Sequence, residues 1–239
     1  MESILKRALG LSPSLQQAAR RVRLSRTART TEEPDMRMLR RLVPRNGCVL
    51  DLGANIGVYT NFLSRVVGEY GWVCAFEPVE QNYEILRISV RRLENVRAFH
   101  AAIGEASGRQ EIAIPTGLVG YYQAHLGAAK MRERKEVVNV LALDDVVLPR
   151  VDFIKCDVEG SELAVLKGAK RLIEVHRPGW YMEVSKPTSA EVFGVMKDWG
   201  YAAFVHEDDR LVAAPAYRDG EYSNYFFLRG DPLAGEYKH

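Results

Sequence analysis

The chain has 239 residues, 47% of them hydrophobic, and a formal net charge of +2. That length suits one large α/β sheet with additions, and the apolar fraction is enough to bury a substantial core. No apolar run approaches the roughly 18 residues of a membrane helix, and the N-terminus lacks the apolar stretch of a secretory signal, so a soluble, cytoplasmic protein is expected.

The charge is unevenly spread. Residues 1–45 hold 11 Lys or Arg against 4 acids, a net of +7, which leaves −5 on residues 46–239. Ser12-Pro13 and Glu33-Pro34 divide the first 42 residues into two or three short helices, because proline disfavours helical backbone in the residue before it. Residues 1–45 thus read as a basic helical N-terminal extension, appended to a main domain at 46–239. Arg20, Arg21, Arg23, Arg26 and Arg29 either stay solvated or face an anion: a phosphorylated or lipid-linked substrate, an acidic membrane surface touched peripherally, or nucleic acid. The arm has no aromatic residue, which counts against stacking on single-stranded nucleic acid.

From Cys48 onward, strands are expected at 48–52, 72–77, 96–102, 152–157, 180–184, 201–206 and 222–229, and amphipathic helices at 58–67, 81–93, 161–173 and 189–199. Such alternation implies a mostly parallel sheet covered on both faces. Residues 103–150 form a long excursion with short strand-like pieces at 109–114 and 136–142. Its middle, Thr116 to Gly127, mixes glycine with aromatics and suits a loop that closes over a ligand. Cys48, Cys74 and Cys156 lack paired metal-ligand spacing and read as small core residues.

Val49-Leu-Asp-Leu-Gly-Ala-Asn-Ile-Gly-Val-Tyr-Thr60 runs from an apolar strand through a small-residue turn into a helix, which is how an α/β sheet builds a ligand crevice. Gly53 and Gly57 permit close backbone approach, and Asp51 and Asn55 offer polar groups where the chain leaves the strand. Twenty residues past Gly57, the second strand ends in Glu77, placed to accept hydrogen bonds from ribose hydroxyls. A nucleoside-containing cofactor is the consequence. The turn has only one of the three glycines of a G-x-G-x-x-G dinucleotide fingerprint, so a pyrophosphate would lose its closest backbone seat. The D-x-G-x-x-x-G spacing of Asp51, Gly53 and Gly57 instead resembles motif I of S-adenosylmethionine-dependent methyltransferases.

The fourth strand leads through Lys155 to Asp157 and Glu159, whose i, i+2 spacing lets both carboxylates enter one crevice. Gly160 and Ser161 open a helix, with Ser161 a suitable N-cap; acids at Glu159 and Glu162 would be favoured there in any case. Glu183 is an acid inside an otherwise apolar fifth strand and needs a partner or solvent. Asn224 stands at the start of the seventh. His125, in the excursion, and His176, at a helix end, complete the acid–base candidates.

Leu50-Asp-Leu-Gly-Ala-Asn-Ile-Gly-Val-Tyr59, Phe76-Glu-Pro78, Leu143-Asp-Asp-Val146, Ile154-Lys-Cys-Asp-Val-Glu-Gly-Ser-Glu162, Val165-Leu-Lys-Gly168 and the Glu183 and Asn224 strands together resemble the FkbM family of methyltransferases, in unbroken order over residues 47–229. The resemblance implies a class I, Rossmann-like methyltransferase: a doubly wound seven-stranded sheet, mostly parallel with an antiparallel last strand. It implies S-adenosylmethionine as cofactor, with Asp51, Gly53, Ala54, Asn55 and Gly57 around its amino-acid end, Glu77 on its ribose and Ala102, within Ala101-Ala-Ile-Gly104, beside its adenine. Asp157 matches the family's strand-end acid and borders the cofactor as well as the acceptor. Cys156 stands where an aliphatic residue is usual.

The implied reaction is O-methylation of a sugar, glycan or secondary-metabolite hydroxyl. Asp157 is the first choice for the base, followed by Glu159, Glu183 and His125. No metal is assigned; the alternative places Mg²⁺ on Asp157, Glu183 and Asn224, as in catechol O-methyltransferase. A homo-oligomer is left open. Two other readings stand beside this one: a nicotinamide-dependent oxidoreductase, which the glycine pattern opposes, and a non-catalytic cofactor-fold protein that docks on nucleic acid or membrane through its basic arm.

Overall fold

A computed structural model describes residues 34–116 and 132–230. Helix α1 (Pro34–Leu42) comes first. Pro34 at its start loses no helical hydrogen bond, Asp35 complements the positive end of the helix, and Met36, Leu39 and Leu42 form a buried stripe at helical spacing. Among the described residues, apolar burial thus includes Met36, Met38, Leu39 and Leu42, ahead of the first strand.

The large sheet contains β1 (Cys48–Leu52), β2 (Trp72–Phe76), β3 (Val96–Phe99), β7 (Phe153–Cys156), β8 (Gly179–Glu183), β9 (Ala202–Glu207), β10 (Arg210–Ala213) and β11 (Asn224–Leu228), in the order β10-β9-β11-β8-β7-β1-β2-β3. Strands β3, β2, β1, β7 and β8 are parallel, and β11 lies antiparallel between β8 and β9. Successive residues of each strand serve opposite faces. Val49, Val73, Phe153 and Phe226 pack with Leu39 of α1, Leu63 of α2 (Val58–Val67) and Leu86 of α3 (Glu80–Val90). Leu50, Cys74, Ile154 and Trp180 pack with Val165 of α4 (Glu162–Lys167), Ile173 of α5 (Lys170–His176) and Val192 of α6 (Ser189–Asp198). Both faces of the central strands are buried, which explains their near-continuous apolar sequences.

Four expectations are corrected. Among the described residues the sheet has eight strands, not seven: Asp208 and Asp209 adopt φ of 46° and 64°, the left-handed pair a tight hairpin requires, and they return β10 onto β9. The strand expected at 96–102 ends at Phe99. The chain turns at His100, whose Nε2 lies 2.9 Å from the Pro78 carbonyl, and Ala102–Ile103 becomes β4 of a separate sheet. That sheet has the order β4-β6-β5 and is built on the long β5 (Gly108–Thr116) and β6 (Arg132–Leu141) pair, so the strand pieces expected in the excursion are two arms of one hairpin. The helix expected at 161–173 breaks at Gly168, where a Cβ would come 2.1 Å from the Gly104 carbonyl oxygen. Asp144 caps the second piece, accepting from the N–H of Arg171 at 3.0 Å and of Leu172 at 2.8 Å. Lastly, Ser161 makes no side-chain cap bond; buried Glu162 ties the turn instead, accepting from the Gly160 N–H at 2.8 Å.

Cys74 and Cys156 are buried and Cys48 half-buried, all as free thiols. Among the described residues no helix is long and apolar enough to cross a membrane.

Candidate functional site

The chain leaves β1 toward β2 on one side and β7 toward β8 on the other, so the crevice between the C-terminal ends of β1 and β7 is the switch point where open α/β sheets bind ligands. Gly53 turns the chain there with φ of 72°, and a Cβ at this position would lie 1.8 Å from the Asp157 carbonyl oxygen. No other residue fits. The N–H groups of Gly53 and Ala54 both donate to the Phe76 carbonyl, at 3.0 and 2.9 Å, fixing the turn against β2. Asn55 (φ 50°) and Gly57 (φ 87°) complete it, and Gly57 begins α2.

Glu77 follows β2 and is buried. Its Oε2 accepts from the Asn55 N–H at 2.8 Å, and its Oε1 from the Val79 N–H at 3.0 Å and Asn82 Nδ2 at 3.3 Å. Burial raises its pKa above the ordinary glutamate value, against those donors and Lys155. A carboxylate has about four acceptor positions, so this one retains capacity for a ligand hydroxyl. The Glu77 N–H donates to the Phe99 carbonyl at 3.1 Å, which brings the end of β3 beside it; half-buried Ala102 follows in β4, paired with Val140 of β6.

Beneath the turn runs a polar row that sequence reasoning missed. Asp51 of β1, Lys155 of β7 and Tyr181 of β8 are direct neighbours in register, all buried. Thr60 Oγ1 donates to Asp51 Oδ2 at 2.6 Å, while Asp51 Oδ1 is buried with no hydrogen-bond partner. Lys155 Nζ lies 3.5 Å from that oxygen and 3.3 Å from Asp157 Oδ2, and donates to the Gly53 carbonyl at 3.0 Å. Burial disfavours the ammonium, but Asp51 and Asp157 more than offset it and hold Lys155 above the ordinary lysine value. The Tyr181 hydroxyl sits 3.5 Å from that of Tyr59 and donates to Asp35 of α1. A signal was present: Asp51 and Lys155 are charged residues within otherwise apolar strands. Their opposition depends on strand order.

At the other side of the crevice, one carboxylate oxygen from each of Asp157, Glu159 and Glu183 lies within 4.8 Å of the other two. Such a group must share a proton or gather cations. Although burial opposes it, Lys155 and a hydrogen bond with Glu183 hold Asp157 below the usual aspartate value. Burial, the bond to Asp157 and the carboxylates of Asp157, Glu159 and Glu162 push Glu183 up to about 8. The pair thus holds one proton near neutrality, on Glu183. Glu159 is exposed at φ 52°. Asn224 faces Glu183 across β8 and β11, with its amide donating to Ser223 Oγ at 3.2 Å. His176 ends α5 just before β8 begins, at the opposite end of the sheet. His125 lies outside the described residues.

The donor set suits a cationic nucleoside ligand better than a dinucleotide. Asp51 Oδ1 accepts no hydrogen bond, Glu77 retains acceptor capacity, and the cation at the turn, Lys155, already faces two carboxylates. A ligand ammonium fits Asp51; a pyrophosphate would meet acids.

Methyltransferase sdnD of Sordaria araneosa is 28% identical over 160 residues, covering 53% of this chain and 61% of that protein. Methyltransferase 1 of Beauveria bassiana (strain ARSEF 2860) is 26% identical over 148 residues, covering 52% and 59%. The chain thus spans about 60% of the length of these relatives. The crystal structure of methyltransferase FkbM from Methylobacillus flagellatus KT shares the fold with a TM-score of 0.53 at 23% identity, over 77% of this chain and 44% of that one. The family model for the methyltransferase FkbM domain matches residues 51–203, more than half of the sequence, and the chain belongs to that methyltransferase family.

Proposed function

We propose that the chain is an S-adenosylmethionine-dependent O-methyltransferase whose acceptor is a hydroxyl of a sugar, glycan or secondary metabolite. The observation that supports it best is the buried Asp51 Oδ1, which accepts no hydrogen bond, in a glycine turn beside Glu77, a fit for a ligand with an ammonium at one end and a ribose at the other. Bound S-adenosylmethionine supplies a methyl group already activated on a sulfonium. Asp51, Gly53, Ala54, Asn55 and Gly57 hold its amino-acid end, Glu77 receives the ribose hydroxyls, and Ala102 sides with the adenine.

The acceptor hydroxyl rests against Asp157 and Glu183. Asp157, acidified by Lys155, stays charged and orients the hydroxyl. Glu183, pushed up to about 8, is matched to a working pH near neutrality, and its deprotonated form takes the hydroxyl proton. Glu159 adds negative charge at the mouth, and His125 is the alternative base from the excursion. Alignment supplies the larger share, up to about 7–11 kcal/mol, against roughly 10²–10⁴-fold from a positioned base.

Titration calorimetry with S-adenosylhomocysteine and NAD tests the cofactor, and methyl transfer to neutral sugars, nucleotide sugars and phenols tests the acceptor. Binding of S-adenosylhomocysteine but not NAD is expected. The reverse would establish the oxidoreductase alternative.

A further inference from the structure

Lys155 takes no proton in this mechanism, yet three polar groups of the site converge on its ammonium. Its Nζ donates to the Gly53 carbonyl at 3.0 Å and lies 3.5 Å from Asp51 Oδ1, 3.3 Å from Asp157 Oδ2 and 5.4 Å from the centre of the Tyr59 ring. The side chain is 4% exposed, so water contributes little to its solvation. A buried carboxylate without a cation is costly, and Lys155 supplies that cation to Asp51.

Two of these contacts coincide with what a ligand ammonium needs. The Gly53 carbonyl and Asp51 Oδ1 are the acceptors at the turn, and Oδ1 has no hydrogen bond of its own. Two ammonium groups crowded onto one carboxylate oxygen would repel strongly in a buried site. Lysine has a flexible four-carbon stem, and Asp157 offers a second carboxylate already within 3.3 Å.

We propose that Lys155 stands in for the cofactor's ammonium on Asp51 and Gly53 while the site is empty, and shifts fully onto Asp157 when the cofactor binds. The proposal rests on the methyltransferase reading. It makes cofactor entry and the setting of Asp157 one event, so that the acceptor side is completed only after the cofactor is in place.

The test compares S-adenosylhomocysteine with its deamino analogue, identical but for the missing ammonium, by titration calorimetry on the full chain. In Lys155→Met the ligand ammonium meets no competitor on Asp51, so the preference for S-adenosylhomocysteine over the analogue should grow by about 5-fold or more. In Asp157→Asn the lysine loses its second seat and stays on Asp51, so the same preference should shrink, by roughly 5-fold on the same scale. A lysine that merely supports the fold would weaken both ligands together. An unchanged preference in both variants, or a change of opposite sign, overturns the handover. If Lys155→Met does not fold, Lys155→Gln replaces it, and Asp157→Asn decides alone if neither folds. Failure of the unaltered protein to bind either ligand would instead overturn the methyltransferase reading.

Discussion

The Tyr181 hydroxyl donates to Asp35 Oδ2 at 2.7 Å, joining the middle of the sheet to α1. The other oxygen of Asp35 lies 3.1 Å from His206 Nδ1 on β9, and Arg37 and Arg41 reach Asp209 in the β9–β10 turn, both at 3.3 Å. The surface pairs contribute little by themselves. The apolar stripe and the half-buried Asp35 contact give α1 its hold.

Truncation measures that hold. A chain beginning at Arg41 loses buried Met36, Met38 and Leu39 and the Asp35 acceptor of the Tyr181 hydroxyl. At about 1.5–3 kcal/mol for each buried side chain, the loss is a large share of a typical 5–15 kcal/mol. Thermal melting should therefore show an unstable or insoluble Arg41 start and a cooperative transition for a chain that starts just before Pro34. Equal melting temperatures would show that α1 is dispensable.

Glu77→Ala removes an acceptor shared by the Asn55 and Val79 N–H groups and by the Asn82 amide, and one proposed for the ribose. Loss of a charge-assisted contact worth about 1.5–3 kcal/mol should weaken S-adenosylhomocysteine roughly 10- to 150-fold, with a lower melting temperature because the turn loses its ties. Full affinity in calorimetry would remove Glu77 from the cofactor site.

Turnover should survive a chelator. Asp157, Glu159 and Glu183 are close enough for a divalent cation, but Lys155 already compensates Asp157, and Glu183 holds a proton. The Lys155 ammonium repels a second cation, and a protonated, neutral Glu183 offers it little to bind. Activity lost in chelator and restored by Mg²⁺ would reassign the three carboxylates as metal ligands.

Local patterns made the first half of the site legible. An apolar strand ending in Asp51 and Gly53, and another ending at Glu77, announce a crevice without knowledge of strand order, because the signal lies within ten residues of chain. Lys155 and Asp51 meet only because β7 lies beside β1, and nothing near either residue states that adjacency. Strand β10 depends on two aspartates accepting left-handed backbone, a weak preference at Asp208 and Asp209. The arginines of α1 concealed its apolar stripe, since the whole stretch before Cys48 reads as charge.

The Asp157–Glu183 pair makes a pH prediction with a definite sign. Glu183 is raised from 4.5 to about 8 by burial and by Asp157 beside it. Its raised value favours the folded state fully below about 4.5, and that advantage is lost as pH climbs to about 8. Melting temperature should fall over this window more steeply in the unaltered protein than in Glu183→Gln. Methyl transfer should do the opposite, rising through about 8 as Glu183 loses its proton and becomes the acceptor for the hydroxyl proton. Asp157→Asn removes the charge and the hydrogen bond that hold the proton on Glu183, so the midpoint should move toward 4.5 while the maximal rate drops about 10²-fold or more. Glu183→Gln should abolish the rise. A rise near 8 that persists in Glu183→Gln would assign the base elsewhere, with His125 next in line.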